Sequence, residues 1–152
     1  MLTVLPPPKL KKQHPVQLDT ISFYHGITPM FSHVMLGVND MVASKKFYDA
    51  TLGALGYEPG VLDAKGRCFY RTPKGVFALS VPIDGEPATG ANGGTIGFLA
   101  KTIDIANAWH QAGLENGGTN CENDPGMRGE KMYLAYLRDP TGNKICVLHK
   151  VG

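Results

Sequence analysis

Apolar and polar residues alternate over a short run in which Val34, Leu36 and Val38 occupy one set of positions and His33, Met35 and Gly37 the other. This period of two predicts a strand with one packed face. The period then lengthens. Phe47, Ala50 and the region Leu52 to Leu55 recur at helical spacing, beginning after Asp40 as a plausible N-cap and stopping near Gly56. The same succession returns 62 positions later. Ile96, Phe98 and Ala100 alternate with Thr95, Gly97 and Leu99, and a second helix is predicted after Thr102, with Ala106, Trp109 and Gly113 along it and Gly117 and Gly118 at its end. Without gaps this shift pairs His33 with Thr95, Val34 with Ile96, Phe47 with Trp109 and Gly56 with Gly118.

Each helix is followed by short strand patterns broken by turn residues, GRCFYRTPKGVFALSVP in the first copy and EKMYLAYLRDPTGNKICVLHK in the second. Both contain an Arg-x-Pro-x-Gly turn, Arg71, Pro73 and Gly75 against Arg138, Pro140 and Gly142. Both halves therefore read as strand, helix, then about three strands, which predicts an α+β chain of two tandem modules. The first spans residues 30–81 and the second 94–150, with a Gly- and Pro-rich linker over 82–93. One helix covers one face of each small sheet, so the other face should be closed by the second module, giving a sheet-lined cavity with one main helix outside each module. Residues 1–29 carry several prolines and no clear period, and are expected to form a loose arm outside the domain of residues 30–152.

Composition narrows the function. A hydrophobic fraction of 43% and a charged fraction of 18% suit a folded globular domain, and a net charge of +2 gives no basic surface for nucleic acid. No apolar run approaches the length of a membrane span, so membrane insertion is not expected. Cys68, Cys121 and Cys146 are odd in number and lack CxxC spacing, which points away from a disulfide framework and toward a reducing cytoplasm.

The segments FSHVMLGVNDMVASKKFYDATLGALGY, AWHQAGLENGG, and DPGMR followed by YLAYLRDPTGNKI resemble the glyoxalase, bleomycin-resistance and extradiol-dioxygenase superfamily, also called the vicinal oxygen chelate (VOC) family, over roughly residues 30–150. The resemblance implies paired βαβββ modules, in agreement with the duplication. It also implies a divalent metal held by His and Glu side chains from the first and last strand of each module, with open positions that polarise a substrate's adjacent oxygens. Carried onto this chain, the four positions are His33, Leu79 (or its neighbour Ser80), Thr95 and Cys146, the last in GNKIC where the family often has GNKIE. Only His33 is a conventional match. A single imidazole does not hold a catalytic metal, and the Glu that would transfer a proton is missing. No cofactor is therefore expected, although a thiolate beside His33 leaves a divalent metal open.

His33 is the candidate catalytic residue, through ligand contact or proton transfer, against the reading of a hydrogen-bonded buried histidine. The expected cavity wall comprises Met35, Phe69, Leu79, Thr95, Arg128, Tyr136 and Cys146. Within it Arg128 would meet an anionic group on the rim, against the commoner reading of a solvated loop arginine, and Cys146 is read as a small packed residue rather than a nucleophile. The expected function is that of a glyoxalase-like protein acting on or binding a small organic molecule between the modules, with metal-dependent glyoxalase I activity disfavoured. The alternative is a metal-free binding or sequestration protein of the bleomycin-resistance type. Exposed strand edges would also permit a homodimer.

Overall fold

The computed structural model describes residues 30–152, so the arm expected over residues 1–29 lies outside the described residues. In the first module the alternating run forms β1 (His33–Gly37), the helical run α1 (Met41–Ala54), and the remainder β2 (Val61–Leu62), β3 (Cys68–Thr72) and β4 (Gly75–Ser80). The second module repeats the plan as β5 (Ile96–Leu99), α2 (Ile103–Glu115), β6 (Thr119–Asn120), β7 (Gly126–Arg128), β8 (Met132–Arg138) and β9 (Lys144–Lys150). Asp40 and Thr102 are the N-caps. Their side-chain oxygens accept from the backbone N–H of Ala43 and of Ile105, which satisfies donors the first helical turn would leave unpaired. Helix α1 runs out into Gly56, whose φ of +89° favours glycine.

The fold is α+β, with two sheets and two helices. The first sheet has the order β1-β4-β3-β2. The second has β5-β9-β8-β6, with β7 paired on β8 as a fifth strand. In each sheet the first and last strands of the module are parallel neighbours, joined by a crossover that contains the helix. The sheets do not close on one another. The modules instead share a core on their helix-covered sides, where α1 packs against α2 and both helices meet strands. Phe47, Tyr48, Leu79, Trp109, Leu137, Ile145 and Val147 are fully buried there, and Phe77 of β4 meets Phe98 of β5 edge to face at 5.3 Å across the module boundary.

Polar groups fix the join. The Tyr48 hydroxyl of α1 donates to Asp139 in the β8–β9 turn at 2.9 Å. Asn143 of the same turn donates to Asp139 at 2.8 Å and to the Gly37 carbonyl at 2.9 Å. The linker is tied down as well. Asn39 donates to the Ala88 carbonyl and accepts from the Ala88 N–H, while its own N–H donates to Thr141. Among the described residues no helix is long and apolar enough to cross a membrane.

Candidate functional site

A strand buries alternate side chains, so covering one face of each sheet with helices leaves the other face open. The register assigns the faces. In the first sheet β1, β4 and β3 align His33, Val76 and Arg71 in one row, and Met35, Ala78 and Phe69 in the next. These residues point to the open face, with Ala78 itself fully covered by its neighbours, whereas Val34, Phe77 and Tyr70 in the row between them, and Leu36, Leu79 and Cys68 in the row beyond, point to the core side. In the second sheet Gly97, Cys146 and Tyr136 form one open-face row, with Lys144 and Arg138 in a neighbouring one.

This register corrects one site assignment. Leu79 does not reach the open face: it is fully buried on the helix side, as is its counterpart Val147. The position that corresponds to Cys146 is Ala78, because Met35 pairs with Ala78 as Gly97 pairs with Cys146. The discrepancy arises in the turns. Arg71 and Val76 are separated by four residues, and their equivalents Arg138 and Lys144 by five. Counting back from Cys146 through the turn motif therefore lands one residue too far, and one residue along a strand is the opposite face.

The remaining expected residues are divided between the two sheets. His33, Met35 and Phe69 share the first open face, and Tyr136 and Cys146 the second. Thr95 is exposed just before β5. Arg128, at the end of β7, donates to the carbonyls of Met127, Asn123 and Asp124 and so braces its own loop. Of the expected set only His33 borders the groove of about 340 Å³ between the free edges of β1 and β5, whose opposite wall includes Gly97 and Leu99. The imidazole is exposed, and Ser32 Oγ lies 2.9 Å from its Nδ1.

Around Cys146 the chemistry is that of packing. Burial pushes its thiol above the ordinary range, more than the nearby Lys144 ammonium lowers it, so at neutral pH the sulfur keeps its proton. A Cβ at Gly97 would come within 3.3 Å of the Cys146 Sγ, so the glycine leaves room for the sulfur. Lys144 pairs with Glu122 and lies 5.1 Å from the Tyr136 ring centroid.

Two residues in these same-face rows, Ala78 and Arg71, are not among those expected from the sequence. In the sequence Arg71 reads as part of the turn motif. Its position two residues after Phe69 in an alternating strand was the signal that both belong to one face.

The donor set does not fit the metal that the family resemblance implies. Ala78 has no donor atom, Thr95 offers a neutral hydroxyl, and the His33 imidazole and the Cys146 sulfur stand on different sheets, so three donors do not come together. Among the described residues no three His, Cys, Asp or Glu side chains converge as a metal site would require.

The profile of the Glyoxalase/Bleomycin resistance protein/Dioxygenase superfamily matches residues 30–147, and the chain belongs to that family. Among solved structures, a glyoxalase/bleomycin resistance protein from Albidiferax ferrireducens T118 is 58% identical with a TM-score of 0.76, the match covering 80% of this chain and 99% of that one. A family enzyme from Burkholderia phytofirmans PsJN is 17% identical, with TM-score 0.64 over 79% of this chain and 98% of its own. A lactoylglutathione lyase from Agrobacterium tumefaciens is 23% identical, with TM-score 0.59 over 81% and 95%. At these lower identities the last two share the fold alone. No curated protein sequence matches the chain.

Proposed function

We propose that this chain is a glyoxalase-like protein that binds a small organic molecule against the open sheet faces without a resident metal, and that His33 is its candidate proton-transferring group. The observation that supports the reading is that the positions where the family resemblance implies metal ligands hold Ala78, Thr95 and Cys146 beside His33, on faces that also present Phe69, Tyr136 and Met35. A ligand there would meet aromatic and thioether surface with one imidazole, a combination suited to holding a molecule and, at most, moving one proton. The metal-free sequestration reading differs only in His33, which would then contact the ligand without exchanging a proton with it.

We further propose that a second copy covers the open faces. Strands β1 and β5 each have one unpaired edge, and Leu99 beside the groove is 71% exposed. Three unpaired cysteines favour a reducing cytoplasm for such an assembly.

Elemental analysis of purified protein tests the metal-free reading directly: stoichiometric metal, lost in His33→Ala or Cys146→Ala, overturns it. A thermal-shift screen with small carboxylates, thioethers and neutral aromatics tests binding, since a ligand selective for the folded state raises its melting temperature. Absence of a shift with every class overturns the small-molecule reading. Proton exchange at the ligand's carbon in the wild type, lost in His33→Ala with binding retained, separates catalysis from sequestration.

A further inference from the structure

We propose that the open face of the first sheet carries an anion subsite in which Arg71 receives the carboxylate of a small organic acid. This rests on the small-molecule reading above and names the ligand's chemical class.

Arg71 is exposed at the end of β3, and its guanidinium carbon lies 4.3 Å from the centroid of the Phe69 ring. Stacking of this kind orients the guanidinium plane while leaving its edge N–H groups free, so the fork is held before any ligand arrives. Among the described residues Arg71 makes no ion pair, the three pairs being Lys45–Asp49, Arg67–Asp63 and Lys144–Glu122. Arg67 approaches the same ring at 5.2 Å, but its Nε and Nη2 both donate to Asp63, so its charge is already answered.

The repeat supplies an internal control. Arg138, the counterpart of Arg71, donates to the Gly142 carbonyl at 2.8 Å and is spent on its own turn. In the shorter first-module turn the Thr72 hydroxyl instead donates to the Gly75 carbonyl at 2.9 Å. The shorter turn thus satisfies itself and leaves its arginine available.

The surroundings match an acid with an apolar body. His33 lies in the same row, separated from Arg71 by Val76, and two inter-strand steps place their backbones about 10 Å apart. Between and beside them the floor is Val76 and Met35, and the buried Ala78 puts no carboxylate where the family resemblance implies a last-strand Glu. A planar carboxylate can accept two parallel N–H bonds from Arg71 while its hydrocarbon part lies over this floor, with His33 at the far end of the row. Glu58 and Asp63 border a groove of about 370 Å³ with Arg71 and Phe69; Asp63 is engaged by Arg67, and Glu58, which makes no ion pair among the described residues, is the one carboxylate against which an incoming anion competes for Arg71.

The test is calorimetric titration of the full chain with benzoate and with benzamide, its neutral near-isostere, repeated on Arg71→Gln, Arg71→Lys and Arg138→Gln. Circular dichroism serves as the folding check. Benzoate is expected to bind the wild type at least tenfold tighter than benzamide, to lose at least tenfold in Arg71→Gln and severalfold in Arg71→Lys, and to stay within twofold in Arg138→Gln. Equal binding of the two compounds, or folded Arg71→Gln with undiminished benzoate affinity, overturns the subsite while leaving small-molecule binding intact. Failure of both compounds and of the whole thermal-shift screen overturns both readings.

Discussion

Cys146 stands where the family resemblance implies a metal ligand, yet its immediate surroundings make it a packed thiol. Burial raises its pKa, and burial likewise raises that of Cys68, whose bond with Tyr70 only partly offsets the effect. The consequence for stability has a definite sign. Below the unfolded thiol value of about 8.5 both states are protonated and the contribution is constant. As pH rises past that value the unfolded chain releases protons that the folded chain retains, so stability falls until the higher folded values are reached. Urea midpoints should therefore be level from pH 7 to 8 and decline above about pH 8.5, and Cys146→Ala should remove part of that decline. A midpoint that rises through this window would contradict the burial account. At this scale the sequence was most readable where chemistry is tied to position. The alternation of β1 placed His33 and Met35 on one face without ambiguity, whereas Leu79 was misplaced because the turn before β4 is one residue shorter than its repeat.

Between elements, the β8–β9 turn acts as a joint. Asp139 is buried, accepts from the Tyr48 hydroxyl and the Asn143 amide, and also takes the backbone N–H groups of Thr141 and Asn143. Asp139→Ala leaves these donors without an acceptor and should lower the unfolding free energy by about 3 kcal/mol, against roughly 1–2 kcal/mol for Tyr48→Phe, in urea titrations. Gly113 marks a second close approach. A Cβ there would lie 2.2 Å from Leu137 Cδ1 and 3.2 Å from the Phe47 ring, both in the fully buried core. Gly113→Ala gains up to about 1 kcal/mol of helix propensity, but crowding costs about 1–3 kcal/mol, so thermal melts should show net destabilisation. The helices, their caps and the strands of five or more residues were legible in the sequence because period, cap chemistry and terminal glycine all agreed. Strands β2 and β6, of two residues each, carry no period to read. Strand β7 is defined only by its pairing to β8.

At the scale of the whole molecule, duplication and fold class could be read from the chain, but how the modules face each other could not. Periodicity says that one face of a sheet is covered, and it does not say by what. The shared core resolves this by turning both helix-covered sides toward each other, which leaves His33 and Cys146 on separate open faces. Under the proposal that a second copy covers those faces, analytical ultracentrifugation should show a dimer, and Leu99→Lys on the β5 edge should shift it toward monomer without loss of secondary structure. A monomeric wild type at micromolar concentration would remove that proposal.

The contact between Phe77 and Phe98 bears on how such a chain could have arisen. Neither half can bury its own aromatic layer, since the core that holds Phe47, Tyr48 and Leu79 also requires Trp109, Leu137 and Val147 from the other half. A free-standing ancestral module would have needed a twin to shield the same surface, so fusion of two gene copies would have converted a concentration-dependent association into an intramolecular one. Once joined, the copies were free to diverge in turn length, since an added residue between strands leaves the inward and outward assignment of each strand untouched.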